Sequence, residues 1–246
     1  DILGDYAAMQ KHLSLEEADD GKMLLPIRPI VLGGDDMTFV CTAKYALSFT
    51  RTIMEALNDL GIDTCGGVSI LPTAYPFFRG YEIAEQLCGA AKSKMRAMRK
   101  EGSSCWLDFA ILHGEQPPTL EQIREQQYSG KCGAMHFGPY RVDGDASTPE
   151  YVGNLIEAVR QLVQGEGRMP MNKIKELRAV LAAGRHEHAQ FMAQYHRLIA
   201  SGGAMRLPEI AAWSSYRESL WQEGRTPYVD AIEMIDFYVP EEVQHG

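Results

Sequence analysis

The sequence predicts an α/β sandwich, a sheet layered with helices, followed by a small helical bundle, on three observations. Strand-like and helix-like periodicities alternate between residues 27 and 112. Helical patterns fill most of the chain beyond about residue 145. A chain of 246 residues that is 45% hydrophobic has apolar side chains enough for one good core and a second, smaller one.

Two short strands come first. Ile30-Val31-Leu32 runs into Gly33-Gly34, and Met37-Thr38-Phe39-Val40-Cys41 runs out with period-two alternation, which makes a hairpin with acids at its tip. An amphipathic helix follows, with Ala46, Phe49, Ile53, Leu57 and Leu60 at helical spacing and Gly61 at the C-cap. Cys65 to Leu71 reads as a third strand ending at Pro72. The next helix carries Tyr81, Ala84, Leu87 or Cys88, Ala91, Met95 and Met98, and its exposed side is basic. In a fourth strand, Ser104 to Leu112, Cys105, Leu107, Phe109 and Ile111 share one face, and Trp106, Asp108 and Ala110 the other.

Past a loop at Pro117-Pro118, Thr148-Pro149 is a capped helix start, and Val152, Leu155, Ile156, Val159, Leu162 and Val163 follow on one stripe. Asn172 is the expected cap of a helix carrying Ile174, Leu177, Val180 and Leu181 and stopping at Gly184. Further helical patterns cover roughly 186–200 and 228–239, separated by Ser201-Gly202-Gly203. A boundary near 145 divides a first unit, residues 1–145, from a helical one, 146–246.

Composition narrows the function classes. The formal charge is −9 with dispersed Lys and Arg, so nothing advertises a bulk grip on phosphate backbone. The five cysteines form no C-x-x-C pair and read as small buried residues in a reducing compartment. No apolar run approaches the roughly 20 residues of a membrane span, and the N-terminus lacks a leader pattern, so the expected location is the cytoplasm, away from membranes. Neither G-x-S-x-G nor a P-loop is present, which leaves serine hydrolase and P-loop ATPase readings without support. His186 and His188 stand two apart, point away from each other on a helix, and read as structural or surface residues. Asp108 reads as structural, and Met95, Met98 and Met169 to Met171 as packing.

The chemistry concentrates at Gly33-Gly34-Asp35-Asp36. Two glycines at an apex admit positive φ and let a ligand approach the backbone. Two carboxylates about 4 Å apart repel by roughly 4 kcal/mol at an effective dielectric near 20, a cost that a divalent cation reverses. Adjacent strand residues point to opposite faces, so both aspartates reach one site only if the turn splays them.

These residues resemble the palm domain of the large, polymerase-like subunit of type III CRISPR effector complexes, a relative of the GGDEF nucleotide cyclases. The likeness rests on Leu32-Gly33-Gly34-Asp35-Asp36 between strands, on Cys65-Gly66-Gly67-Val68-Ser69-Ile70, and on Tyr75-Pro76-Phe77-Phe78-Arg79 leading through Tyr81-Glu82-Ile83-Ala84-Glu85 to Ala90-Ala91-Lys92. Gly138-Pro139-Tyr140, the Lys173 to Leu181 helix and Asp230-Ala231-Ile232-Glu233 resemble the segment that follows such palms. The resemblance implies an α+β fold, a ferredoxin-like palm with an antiparallel sheet and helices on one face, that joins ATP, or GTP, into cyclic or linear oligonucleotides with Mg2+ or Mn2+. It implies a homodimer or a partner palm, and an RNA or ribonucleoprotein setting. By the same likeness Asp35 and Asp36 hold metal, and Gly33, Gly34, Gly66 and Gly67 make room for nucleotide. Lys92 meets the triphosphate, with Arg79, Lys94 or Arg96 as secondary cations. Asp1-Ile2-Leu3-Gly4 resembles the tail of the family's first metal-binding run, which makes Asp1 a third ligand candidate and leaves its strand missing. Two rivals stand beside this expectation: a non-catalytic nucleotide-binding or scaffold palm, and a cyclase that uses GTP.

Overall fold

Alternating residues at the start of the chain pair as expected. In the computed structural model, which describes residues 26–98, 104–113, 119–164, 168–203 and 205–239, β1 (Ile27–Gly33) and β2 (Asp36–Cys41) form an antiparallel hairpin. Its register slips between Pro29 and Val31, beside the one residue with no N–H to give the ladder. Phe39 and Cys41 pack with Tyr45 and Phe49 of α1 (Ala43–Asp59). That helix closes as its sequence suggests: Gly61 takes φ +76°, its N–H donates to the Asn58 carbonyl, and the Ile62 N–H donates to Leu57, the paired bonds of a Schellman cap.

Next come β3 (Cys65–Ile70), α2 (Phe77–Met98) and β4 (Trp106–Ile111). β3 and β4 are parallel, with Cys65 opposite Trp106 and Ile70 opposite Ile111. A 22-residue helix lies between them, and a crossover of that length is what returns a chain in the same direction. The antiparallel sheet is therefore corrected to a mixed one, in which β7 (Tyr140–Arg141) runs antiparallel to the other side of β4. The helices do not share a face either. A Cβ on Gly66 would meet Thr50 and Met54 of α1, whereas one on Gly67 would meet Ala84 and Leu87 of α2; successive strand residues point oppositely, so the helices cover opposite sides. β4, covered on both sides, is buried throughout. The β1–β2 hairpin is a separate two-stranded sheet.

The rest is mainly helical: α3 (Leu120–Gln127), α4 (Val152–Gln164), α5 (Met171–Ala182), α6 (Arg185–Ala200), α7 (Ser214–Ser219) and α8 (Tyr228–Glu233), with the small hairpin β5 (Ser129–Gly130) and β6 (Gly133–Ala134) after α3. α4 starts at Val152 because the Asn154 side chain donates to the Ala146 and Thr148 carbonyls and holds Thr148-Pro149 in a turn. Pro170, not Asn172, caps α5, its carbonyl accepting from Lys173 and Ile174. Beyond α8 the chain tightens into a 3-10 turn over Met234–Phe237. One apolar core crosses position 145, from Ala46, Leu107 and Phe109 to Trp213, Val229 and Met234. The molecule is thus mixed α and β, and no helix among the described residues is long and apolar enough to cross a membrane.

Candidate functional site

A two-residue loop between right-twisted strands needs a positive φ at its first position. Gly34 supplies it at +63°, and Asp35 follows at the second. Asp36 is the first residue of β2, opposite Gly33. One acid thus belongs to the turn and the other to the strand. Both are exposed, and no ion pair joins either to another described residue. A Cβ built on Gly33 or Gly34 meets nothing within 4 Å, so the apex backbone is open to a ligand.

Strand alternation puts Asp36 and Thr38 on one face of β2, and α2 lies beside that face. The Tyr81 hydroxyl pKa is raised, first by its hydrogen bond with Glu85 and the charge there, then by partial burial and by Asp36, with Thr38 opposing. At Cys88 burial raises the thiol pKa most; Lys92 lowers it, and Asp36 and Glu85 raise it. Thr38 therefore sits near Tyr81, and the field of Asp36 reaches on to the turn of α2 that precedes Lys92. Lys92 is exposed. Arg79 is also exposed, with its guanidinium 5.2 Å from the Phe78 ring, but the helix rise puts it roughly 20 Å from Lys92. The two cations cannot grip the same phosphate group. Lys94 is engaged elsewhere, over the Trp106 ring at 5.2 Å and near Glu150 at 3.7 Å.

Gly66 and Gly67 are enclosed by protein. On Gly67 a Cβ would fall 2.1 Å from the Ala84 carbonyl oxygen and 2.5 Å from the Cys88 nitrogen; on Gly66 it would crowd Leu107, Met54 and Thr50. Gly67 lets α2 approach β3 at backbone distance, whereas Gly66 makes room for side chains of α1 and β4. Asp1 lies outside the described residues. Among those residues, no group of three or more His, Cys, Asp or Glu side chains is arranged to hold a metal ion.

A second acidic centre, buried, was only half visible in the sequence. His136 Nε2 lies 2.7 Å from Asp108 Oδ1 and its Nδ1 3.0 Å from Asp230 Oδ1. Asp230 also accepts from the Tyr140 hydroxyl at 2.6 Å and the Phe137 N–H at 2.8 Å. Arg124 donates to Asp108 at 3.1 Å and to the Phe109 carbonyl at 2.8 Å. Burial and Arg124 pull the His136 pKa down, but Asp230, Asp108 and the hydrogen bond to Asp108 outweigh them and raise it. For Asp230, burial pulls upward and the His136 charge and hydrogen bonds win, leaving its pKa lowered. Asp230 is wholly buried, so the centre fastens α8 to β4 and to the segment between β6 and β7 rather than meeting a reactant. Asp108 among apolar neighbours was its one local signal; His136 pairs across 28 and 94 residues, beyond any spacing rule.

Two clefts open elsewhere. The first, about 460 Å³, is lined by Tyr128, Met135, Arg178, His113 and Glu233 among others. Its polar groups engage one another, with Arg178 and His113 each 2.9 Å from Glu233. The second, about 430 Å³, lies by α6 and the loop after α7. Neither is lined by the hairpin. Comparison with protein-family models and with curated protein sequences found no match.

Proposed function

We propose that the chain is the nucleotide-handling palm of a metal-dependent nucleotidyltransferase that joins ATP molecules into cyclic or linear oligonucleotide signals, in CRISPR-associated antiviral defence. One observation carries the reading: the β1–β2 apex exposes Asp35 and Asp36 on an open glycine backbone, beside the helix that bears Lys92. These carboxylates are hard oxygen donors, the class that Mg2+ or Mn2+ takes, and magnesium bound to a nucleotide needs only one or two of them. Asp35 and Asp36 would hold the ion, with Asp1 as a further candidate ligand; when bound, the ion supplies charge neutralisation at the leaving pyrophosphate.

Lys92 would bind triphosphate as a flexible point charge, and Gly33 and Gly34 would admit it against the backbone. Arg79 would meet a part of the nucleotide remote from Lys92, or a second nucleotide. Gly67 would act indirectly, by letting α2 lie close enough to β3 for Lys92 to stand where it does, and Gly66 by making room for α1 on the other side of the strand. A ribose 3′-hydroxyl gives up its proton to water as its oxygen forms the new bond to the α-phosphorus and the bond to pyrophosphate breaks, and the protein contributes positioning. A second copy, or a partner palm, would supply the other nucleotide.

The scaffold rival draws on a different observation. Ile30, Leu32 and Met37 leave the hairpin apolar and exposed, a surface suited to a protein or ribonucleoprotein partner. Incubating the full chain with labelled ATP or GTP and Mg2+ or Mn2+, then resolving products by chromatography and mass spectrometry, separates the readings. ATP-derived oligonucleotides and pyrophosphate are expected; a product from GTP alone establishes the cyclase rival. No product together with no metal-dependent nucleotide binding overturns the enzyme reading.

A further inference from the structure

The second cleft brings together residues that the proposed nucleotide site does not use. Cys132 stands in the turn between β5 and β6, half-buried, with Sγ 3.8 Å from Nδ1 of His188 in the first turns of α6. The imidazole stacks on the Trp221 indole, ring centres 6.0 Å apart and planes 19° from parallel. His188 and Trp221 are only 6% and 9% exposed, and both line the cleft. His188 Nε2 and Trp221 Nε1 have no hydrogen-bond partner among the described residues. Buried polar groups are rarely left so.

With Nδ1 accepting from the thiol, Nε2 carries the proton, so two residues of the cleft lining each keep one buried, unpaired N–H. Arg185 adds a cation at the rim, and Glu218 and Glu223 add carboxylates. The walls are held, because the Ala134 N–H donates to the Gly224 carbonyl at 2.8 Å and Gly133 packs too closely on Gly224 to admit a side chain. A cation and acids around a thiol are the complement of a small peptide that carries both carboxylates and ammonium groups.

We infer that this cleft is a thiol-modification site, in which Cys132 forms a mixed disulfide with a zwitterionic peptide disulfide of the oxidised glutathione class. His188 Nδ1 takes the Cys132 proton, the thiolate attacks one sulfur of the disulfide, a new S–S bond forms as the old one breaks, and the departing thiolate takes the proton back from His188. The peptide disulfide is the oxidant, and no other reagent is consumed.

The remaining cysteines set the contrast. All five are free. Burial pushes the Cys41 thiol up to about 11, and burial with the neighbouring Cys88 pushes Cys65 up to about 11. Against an ordinary thiol this removes about a hundredfold of thiolate, and the greater nucleophilicity of a more basic sulfur recovers only about tenfold of it.

The test treats the full chain with oxidised glutathione, quenches with acid at intervals, and maps modified peptides by mass spectrometry. Cys132 is expected to react first, ahead of Cys41 and Cys65, whose thiolates burial suppresses, and faster with oxidised glutathione than with the uncharged hydroxyethyl disulfide. His188→Gln should slow both reagents, whereas Arg185→Gln, which removes the cation of the lining, should slow glutathione alone. Cys132 reacting no faster than Cys41 and Cys65, or equally with both disulfides, overturns the inference on wild-type protein, without recourse to variants.

Discussion

Two pairs of aspartates show what burial does to a carboxylate. Asp35 and Asp36 stand in water at a hairpin apex, without an ion-pair partner among the described residues. Asp108 and Asp230 lie inside the protein, and between them hold His136, Arg124, Tyr140 and two backbone N–H groups. A buried charge survives only when its hydrogen-bonding capacity is filled, so such a centre reports on architecture. An exposed, unpaired acid costs the fold little, and its oxygens stay available to a ligand. The pair that looks more like a catalytic constellation is therefore the structural one, and the plainer pair carries the proposed chemistry.

The largest expected effect tests the buried half. Asp230→Ala strands the His136 imidazole, the Tyr140 hydroxyl and the Phe137 N–H together, and should cost about 3–5 kcal/mol of unfolding free energy, as loss of one partner from a buried ion pair does. Urea unfolding followed by circular dichroism measures it. A loss under about 1 kcal/mol would mean that the centre is not what anchors α8.

His136 adds a pH signature of known sign. Its folded pKa is raised above 6.5, so its contribution is complete below that value and is lost as pH rises through the folded pKa. Asp230 is lowered below 3.8, so its share is present above that value and lost only as pH falls through the lower folded pKa. Thermal stability should therefore be greatest between about pH 4 and 6.5 where this centre dominates, and should decline toward alkaline pH. In His136→Gln the alkaline decline should flatten; an unchanged slope would assign it to other groups.

Glycines sharpen the contrast through packing. Gly67→Ala drives a methyl group against the Ala84 carbonyl and the Cys88 nitrogen, backbone atoms that cannot swing away, and should cost about 1–3 kcal/mol. Gly33→Ala meets open space and should alter stability by less than about 0.5 kcal/mol. Comparable losses in the two would refute the division between a packed β3 and an open apex.

What was legible in the sequence follows from the range of the forces. The hairpin, α1, β3, α2 and β4 were readable because local periodicity and glycine caps encode them, and Gly61 closes its helix by bonds within five residues. The two-residue strands β5, β6 and β7 are too short to show a period. The parallel pairing of β3 with β4 depends on the packing of the helix between them, and the His136 centre joins positions up to 94 residues apart. Of the site, the apex acids were plain because turn chemistry is local. The enclosure of Gly66 and Gly67 was not, since a glycine pair reads alike whether a ligand or a helix fills the space beside it.

The smallest effect on stability should accompany the largest on ligand binding. Asp35→Asn with Asp36→Asn removes two negative charges from a solvated turn and leaves the Gly34 conformation and the strand register intact, so unfolding free energy should move by less than about 0.5 kcal/mol. Because asparagine keeps the shape and loses the charge, any change in Mn2+ binding, read by electron paramagnetic resonance with ATP present, isolates the carboxylates themselves. Binding should fall at least about tenfold, the loss expected when charged ligands of a hard cation become neutral amides. Lys92→Met should weaken ATP binding while leaving Mn2+ binding without nucleotide untouched, since lysine meets phosphate and not metal. If the double asparagine variant binds Mn2+ and ATP like the parent, the apex is a turn and nothing more, and the exposed apolar strands beside it become the reason for the hairpin.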